Sequence, residues 1–218
     1  MRKMVEYNAP KRDYEFLLNE VLDAIPIVQK LGYSEFDEEF LSMLTDGWAE
    51  HVKEVWLPVN QLGDREGLTY SDGEIMMPDE FKNAYKESVD AGWLSTSCKP
   101  EHGGMGVPIF FQTVIWAEFG TPANMALSVL PALSVGVYEV LAEHGEKELV
   151  DYFATNMASG KWSGTMCLTE PHAGTDLGMI STKAVPQKDG TYLVTGTKIF
   201  ITYGAVSYTH LTLPTNCV

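Results

Sequence analysis

The stretch MCLTEPHAGTDLG, Met166 to Gly178, decides how the chain is read. It sets Thr169, Glu170 and Pro171 in a row and follows them with Gly174, Thr175 and Asp176. One reading is a strand-to-loop exit, in which proline fixes the bend and Asp176 caps the loop's own backbone. The other is a ligand loop. In that case the strand end delivers the Thr169 hydroxyl, Gly174 lets backbone approach a bound group closely, and Thr175 adds a second hydroxyl. The exposed N–H groups of such a loop can form an anion-binding nest. The combination suits a planar heteroaromatic ring joined to a pyrophosphate. A later segment, KIFIT (Lys198 to Thr202), can bring Phe200 and Thr202 alongside.

The chain before this stretch has helical spacing. Leu18, Val21, Leu22 and Ile25 predict a helix over 14–25 that Pro26 limits. Leu41, Leu44, Trp48, Val52 and Val55 predict a second over 37–55, with acidic residues on its opposite face. A third begins near Pro78 with acids in its first turn and stops at Gly92. KPEHGGMGVP (99–108) reads as a loop whose glycines permit positive φ. Two further helices follow, over 108–119 and 123–143. A last one carries Leu149, Phe153 and Met157 and ends at Ala158-Ser159-Gly160.

After Gly160 the period changes. GTMCLTE is short and apolar, STKAVPQ and TYLVTG flank a Lys-Asp-Gly turn, and TKIFIT alternates with β-branched residues. The fold class expected is therefore α+β: an N-terminal all-α helical domain followed by the first strands of a β domain.

Composition excludes several functions. With 45% hydrophobic and 11% aromatic residues the chain can bury one good core, or one domain and part of another. Fifteen basic against thirty acidic residues leave no footprint for nucleic acid. An anionic ligand must then be held by backbone N–H groups and local basic side chains, not by the overall field. The three cysteines, Cys98, Cys167 and Cys217, are odd in number and far apart, which indicates neither a disulfide framework nor a zinc site. The start, MRKMVEYNAP, has no apolar core of a signal peptide. NMALSVLPALSVGVY (124–138) has the length of a core helix and is interrupted by Pro131. A cytoplasmic protein with no membrane span is expected.

Hydrolase and metal patterns are missing: there is no G-x-S-x-G, no H-E-x-x-H and no P-loop, and GGMG follows no strand. The five histidines are dispersed, His102 and His172 lie in glycine-containing loops, and no metal site is expected.

A helical domain, then CLTEPHAGTD at 167–176, then GTKIFIT at 196–202, resembles the acyl-CoA dehydrogenase family over most of residues 36–204. Within it, YNAPKRDYEFLLNEVLDA, GDREG and GTMCLTEPHAGTDLG are similar to the branch that contains the 3-methylmercaptopropionyl-CoA dehydrogenases. The resemblance implies four segments: an N-terminal helical extension over 1–35, an α-helical domain over 36–160, the start of a barrel-like middle β domain with flavin motifs over 161–204, and a tail over 205–218.

The resemblance further implies FAD as cofactor. Met166, Cys167, Leu168, Thr169, Gly174 and Thr175 would form one binding segment, with Leu168 and Thr169 at the isoalloxazine and Gly174 and Thr175 at the pyrophosphate. Thr175 would also lie near the acyl-CoA substrate. Phe200, Ile201 and Thr202 would form the second segment, with Phe200 packing on the ring where relatives often carry Trp. Two positions depart from the family pattern: Met166 stands where many relatives have an aromatic, and Gly178 comes one residue early.

In the implied chemistry a carboxylate removes the proton α to the thioester carbonyl while hydride leaves the β carbon for flavin N5, across a slot from which water is excluded. The base is expected in a C-terminal helical domain, and Glu170 is expected to support its turn rather than to act as that base. Electron-transfer flavoprotein is the implied electron acceptor, and a homo-oligomer the implied assembly. AVSYTHLTLPTNCV (205–218) matches nothing expected after KIFIT, so it reads as a foreign or else divergent tail on a truncated, inactive chain. A flavin oxidase or monooxygenase of the same fold and a non-catalytic helical interaction module are the competing readings.

Overall fold

A computed structural model describes residues 6–72 and 74–202. The expected tail at 205–218 lies outside the described residues. The chain forms two compact units. The first takes the described residues up to Leu68 together with Met77–Gly164; the second takes Thr69–Met76 and the described residues from Thr165 onward. All strands among the described residues belong to the second.

In the helical unit α1 (Lys11–Glu15) runs into a π-helical turn at Phe16–Val21, and α2 (Ala24–Lys30) follows. The expected single helix over 14–25 is therefore broken earlier than its proline. The break falls at Asp23, whose φ is +45°, and Pro26 sits in the first turn of α2, where a missing N–H leaves no helix bond unmade. α3 (Glu38–His51) starts on the Asp37 carboxylate, which accepts the Phe40 N–H at 2.7 Å, a cap worth about 1 kcal/mol. It continues through a π turn at Val52–Trp56 into α4 (Leu57–Glu66), past the expected end at Val55. Pro58 is the second residue after that π turn, in the first turn of α4, where the regular ladder is already interrupted.

α5 (Asp79–Asp90) matches expectation. α6 (Ala117–Ala123) follows a π turn at Phe111–Trp116, and α7 (Met125–His144) is capped by Asn124, which accepts the Leu127 N–H at 3.1 Å. α8 (Lys147–Ala158) closes the unit. By length and composition α7 could cross a membrane; here it packs against α6 and α8.

The core is organised by tryptophans. Trp48, Trp56 and Trp116 are fully buried, with Trp48 and Trp116 stacked at 4.8 Å and Trp56 edge-on to both. A buried indole needs a partner for its N–H. Trp48 donates to Trp116 O at 2.9 Å, Trp56 to Ser88 Oγ at 2.8 Å and Trp116 to Trp93 O at 3.0 Å. Each bond ties a different pair of segments, so the apolar packing also fixes register. His51 stacks on Trp48, and its Nε2 lies 2.8 Å from Ser88 Oγ. Because that hydroxyl donates to Ala84 O, the network assigns the proton to His51 Nε2.

The loop between α5 and α6 holds its shape through backbone. Met105 donates to Ser95 O, Gly106 to Cys98 O and Val107 to Thr96 O. Gly103 and Gly106 take the positive φ expected, at +92° and +66°. A Cβ on Gly104 would stand 2.1 Å from Cys98 O. Lys99 N–H donates to the buried Tyr138 hydroxyl, which in turn meets His102 Nδ1 at 2.7 Å.

In the second unit β1 (Thr69–Ser71) pairs antiparallel with β2 (Glu74–Met76), a hairpin absent from the sequence expectation. β3 (Lys183–Pro186) pairs antiparallel with β4 (Tyr192–Thr195), Lys183 opposite Thr195, around the expected Lys-Asp-Gly turn with Gly190 at φ +85°. The strands expected at 164–170 and 197–202 form no ladder. Phe200 takes φ +57°, which interrupts an alternating strand, and point contacts replace the ladder there.

Two outcomes follow from the helical core. A Cβ on Gly120 would lie 2.8 Å from Trp56 and 3.1 Å from Trp48, so Gly120→Ala should destabilise the unit by about 1–3 kcal/mol in denaturant melts. Burial lowers His51 from 6.5 to about 4, so its neutral form is native. The folded value lies below the unfolded one, and the associated stability is present above 6.5 and lost as pH falls towards 4. His51→Gln should flatten the acid side of the melting profile in that window.

Candidate cofactor-binding site

Glu170 is the one buried carboxylate among the described residues, at 2% exposure. Its Oε2 accepts the Ser181 N–H and the Ser181 hydroxyl, both at 2.8 Å. Its Oε1 accepts the Thr182 N–H at 3.0 Å, the Thr182 hydroxyl, and the Lys198 ammonium at 2.9 Å. His172 Nε2 lies 3.5 Å from Oε2. These donors, the Thr182 hydroxyl first, then the Ser181 N–H and Lys198, hold the carboxyl far below the usual carboxylate range. The cover is a single layer of polar partners rather than a deep apolar core.

The same partners join the two sequence segments singled out above. Lys198 Nζ also donates to Leu168 O at 2.9 Å, and Ile199 N–H donates to Thr169 O at 2.9 Å. The Thr165 hydroxyl donates to Thr202 O. Residues 165–170 and 198–202 therefore lie side by side, though some thirty positions separate them in the chain.

Met166 and Leu168, on alternate positions, are exposed, and Phe200 is 87% exposed. Gly174, Thr175 and Thr202 are exposed, while Cys167, Thr169 and Ile201 are half-buried. The hydroxyls of this region are thus not sealed in an interior. Asp176 caps its own loop as expected, accepting the Gly178 N–H at 3.1 Å.

The glycines separate internal from external demands. A Cβ on Gly196 would stand 2.1 Å from Thr182 Oγ1, so that glycine makes room for a ligand of Glu170. A Cβ on Gly174 would meet nothing nearer than Thr169 Cγ2 at 3.9 Å, and Gly174 has no positive φ. The fold itself does not require glycine there. An exposed aromatic and apolar surface beside a glycine with open space in front of it fits a planar ring with a polar extension.

Comparison with known proteins identifies the family. The family model for the acyl-CoA dehydrogenase N-terminal domain matches residues 38–161, and that for the acyl-CoA dehydrogenase middle domain matches residues 165–215. The chain belongs to the acyl-CoA dehydrogenase family. It is 38% identical over 199 residues to the 3-methylmercaptopropionyl-CoA dehydrogenase of Ruegeria pomeroyi, covering 91% of this chain and 34% of that protein. It is 34% identical over 208 residues to the broad-specificity linear acyl-CoA dehydrogenase FadE5 of Mycobacterium tuberculosis, covering 92% of this chain and 33% of that protein. The chain spans about a third of the length of these curated relatives. The structure of an acyl-CoA dehydrogenase complexed with FAD from Bacillus anthracis shares the fold at a TM-score of 0.65 and 22% identity, over 80% of this chain and 28% of that one.

Sequence reasoning had Glu170 supporting its turn but missed its partners Ser181, Thr182 and Lys198 and the clearance at Gly196. Lys198 carried a usable signal, as an ammonium inside an otherwise apolar strand pattern. Ser181 and Thr182 did not, because small hydroxyl residues are common ahead of strands.

The Glu170 carboxyl lies below its ordinary value of 4.5 in the folded chain, so the stability it adds is present above that pH and lost as pH falls below it. The amide resonances of Ser181 and Thr182 should titrate together in acid, and Glu170→Gln should abolish that shared transition.

Proposed function

We propose that this family member takes part in FAD-dependent α,β-dehydrogenation of an acyl-CoA thioester, with residues 166–175 and 200–202 forming one wall of the flavin site. The observation that carries the reading is the Ile199 N–H to Thr169 O bond, which brings the segment of Phe200 alongside the segment of Leu168, both side chains being open to solvent. Bound FAD would supply the hydride-accepting centre of the reaction. Phe200, Leu168 and Met166 would pack against the ring and keep water from it. Thr169 and Thr202 would hydrogen-bond its polar edge. Gly174 and Thr175 would admit the pyrophosphate, Thr175 also standing near the acyl-CoA.

Glu170 does not serve as the proton-abstracting base. Both oxygens are filled by donors, and its proton affinity is pushed far down rather than up. The α proton must go to another carboxylate. Electrons would leave to an acceptor such as electron-transfer flavoprotein, in a cytoplasmic, homo-oligomeric enzyme.

The test is FAD titration followed by flavin fluorescence. The protein should bind weakly but saturably, in roughly the 100 micromolar range, about −5.5 kcal/mol. Gly174→Ala should weaken binding about tenfold, with the thermal melt unchanged because the added Cβ crowds no internal neighbour. Equal affinities for the two proteins, or no saturable binding, would overturn the reading. After photoreduction the bound flavin should reoxidise slowly in air; rapid reoxidation would place the chain with the oxidases and monooxygenases.

A further inference from the structure

Phe200 poses a physical problem that its surroundings do not solve by packing. It is a bulky L-residue in the left-handed region, φ +57°, where Cβ crowds the backbone, and its ring is 87% exposed, so burial gives nothing back. What holds it must act through the neighbouring residues. On its N-terminal side Ile199 N–H is bound to Thr169 O and Lys198 Nζ to Leu168 O. On its C-terminal side Thr202 O is bound by the Thr165 hydroxyl. Phe200 and Ile201 are the only residues between these anchors.

Lys198 is the charged anchor, with its side chain 21% exposed. An ammonium so covered needs a counter-ion, and Leu168 O alone would leave it short of one. Glu170 supplies the charge. Its carboxylate is oriented by four bonds from Ser181 and Thr182 that do not involve Lys198, so it is a receptor already in place. His172 is the other titratable group facing this carboxylate, and it is also engaged with Met179 O at 3.1 Å.

We propose that Glu170 and Lys198 are positioning residues that hold Phe200 in its left-handed, outward-facing conformation and so set the stacking face of the flavin site. This rests on the flavin reading above. The arrangement is asymmetric. Removing Lys198 leaves Glu170 satisfied by Ser181 and Thr182, whereas removing the Glu170 charge disturbs both sides.

The experiment compares the wild-type 218-residue protein with Lys198→Met, Lys198→Arg and Glu170→Gln. The first readout uses no flavin: amide hydrogen exchange at Ile199 and at Ser181 and Thr182, with the melt of the helical unit as the folding control. Lys198→Met should speed exchange at Ile199 about tenfold while Ser181 and Thr182 stay as in wild type. Lys198→Arg, which keeps charge and donors, should restore protection. Glu170→Gln should loosen all three. The second readout is FAD affinity and the visible circular dichroism of the bound flavin. Lys198→Met should bind about tenfold more weakly with an altered dichroic band, and Lys198→Arg should recover both.

Unchanged exchange at Ile199 in Lys198→Met would overturn the clamp, whatever the flavin does. Faster exchange with unchanged flavin affinity and dichroism would overturn the positioning role and leave only a structural tie. Wild-type protein that binds no FAD would overturn the flavin reading and the positioning role with it, while the exchange data would still report on the clamp.

Discussion

A single carboxylate with every lone pair occupied organises the second unit. Placing the Glu170 charge out of water would be prohibitive without donors, and the chain meets that requirement from two directions, Ser181 and Thr182 on one side and Lys198 on the other. Ser181 and Thr182 lead into β3, β3 pairs with β4, and β4 leads through Gly196 to Lys198. The backbone from 170 to 198 is thus closed into a ring whose clasp is the carboxylate. Everything proposed for the cofactor wall depends on that clasp, because the residues of the wall sit immediately beside it.

The two units are held together internally by different physics. The helical unit buries indoles, phenylalanines and aliphatic side chains and satisfies the N–H of each of its three fully buried indoles with a long-range partner. In residues 165–202 only Glu170 and Ala173 are buried, so order there comes from directed polar bonds. Such a region opens locally more readily than an apolar core. A planar ligand covering Met166, Leu168 and Phe200 would add the apolar burial that the chain does not supply for itself.

The helices were legible because their apolar residues recur at helical spacing, most plainly at Leu41, Leu44 and Trp48. Their breaks were less so: Pro26 reads as a stop, yet the break is made by Asp23 in a conformation that sequence does not announce. The hairpin at 69–76 was missed although Asp72-Gly73 is a turn signal, because its strands are only three residues each. In the candidate site the adjacency of the two motifs was expected, but as a strand pair. One left-handed residue, Phe200, replaced the ladder with isolated bonds, and no alternation pattern distinguishes those two outcomes.

The glycine-rich loop of the helical unit has an evolutionary consequence. Loops of this composition ordinarily accept insertions. Here the amides of Gly104, Met105, Gly106 and Val107 return in turn to Lys99, Ser95, Cys98 and Thr96, and Tyr138 grips the Lys99 amide from α7. One added residue would shift that whole sequence of bonds out of step and drive a side chain against Cys98 O at the Gly104 position. Length variation among descendants of this chain should therefore collect at other surface connections and spare this one.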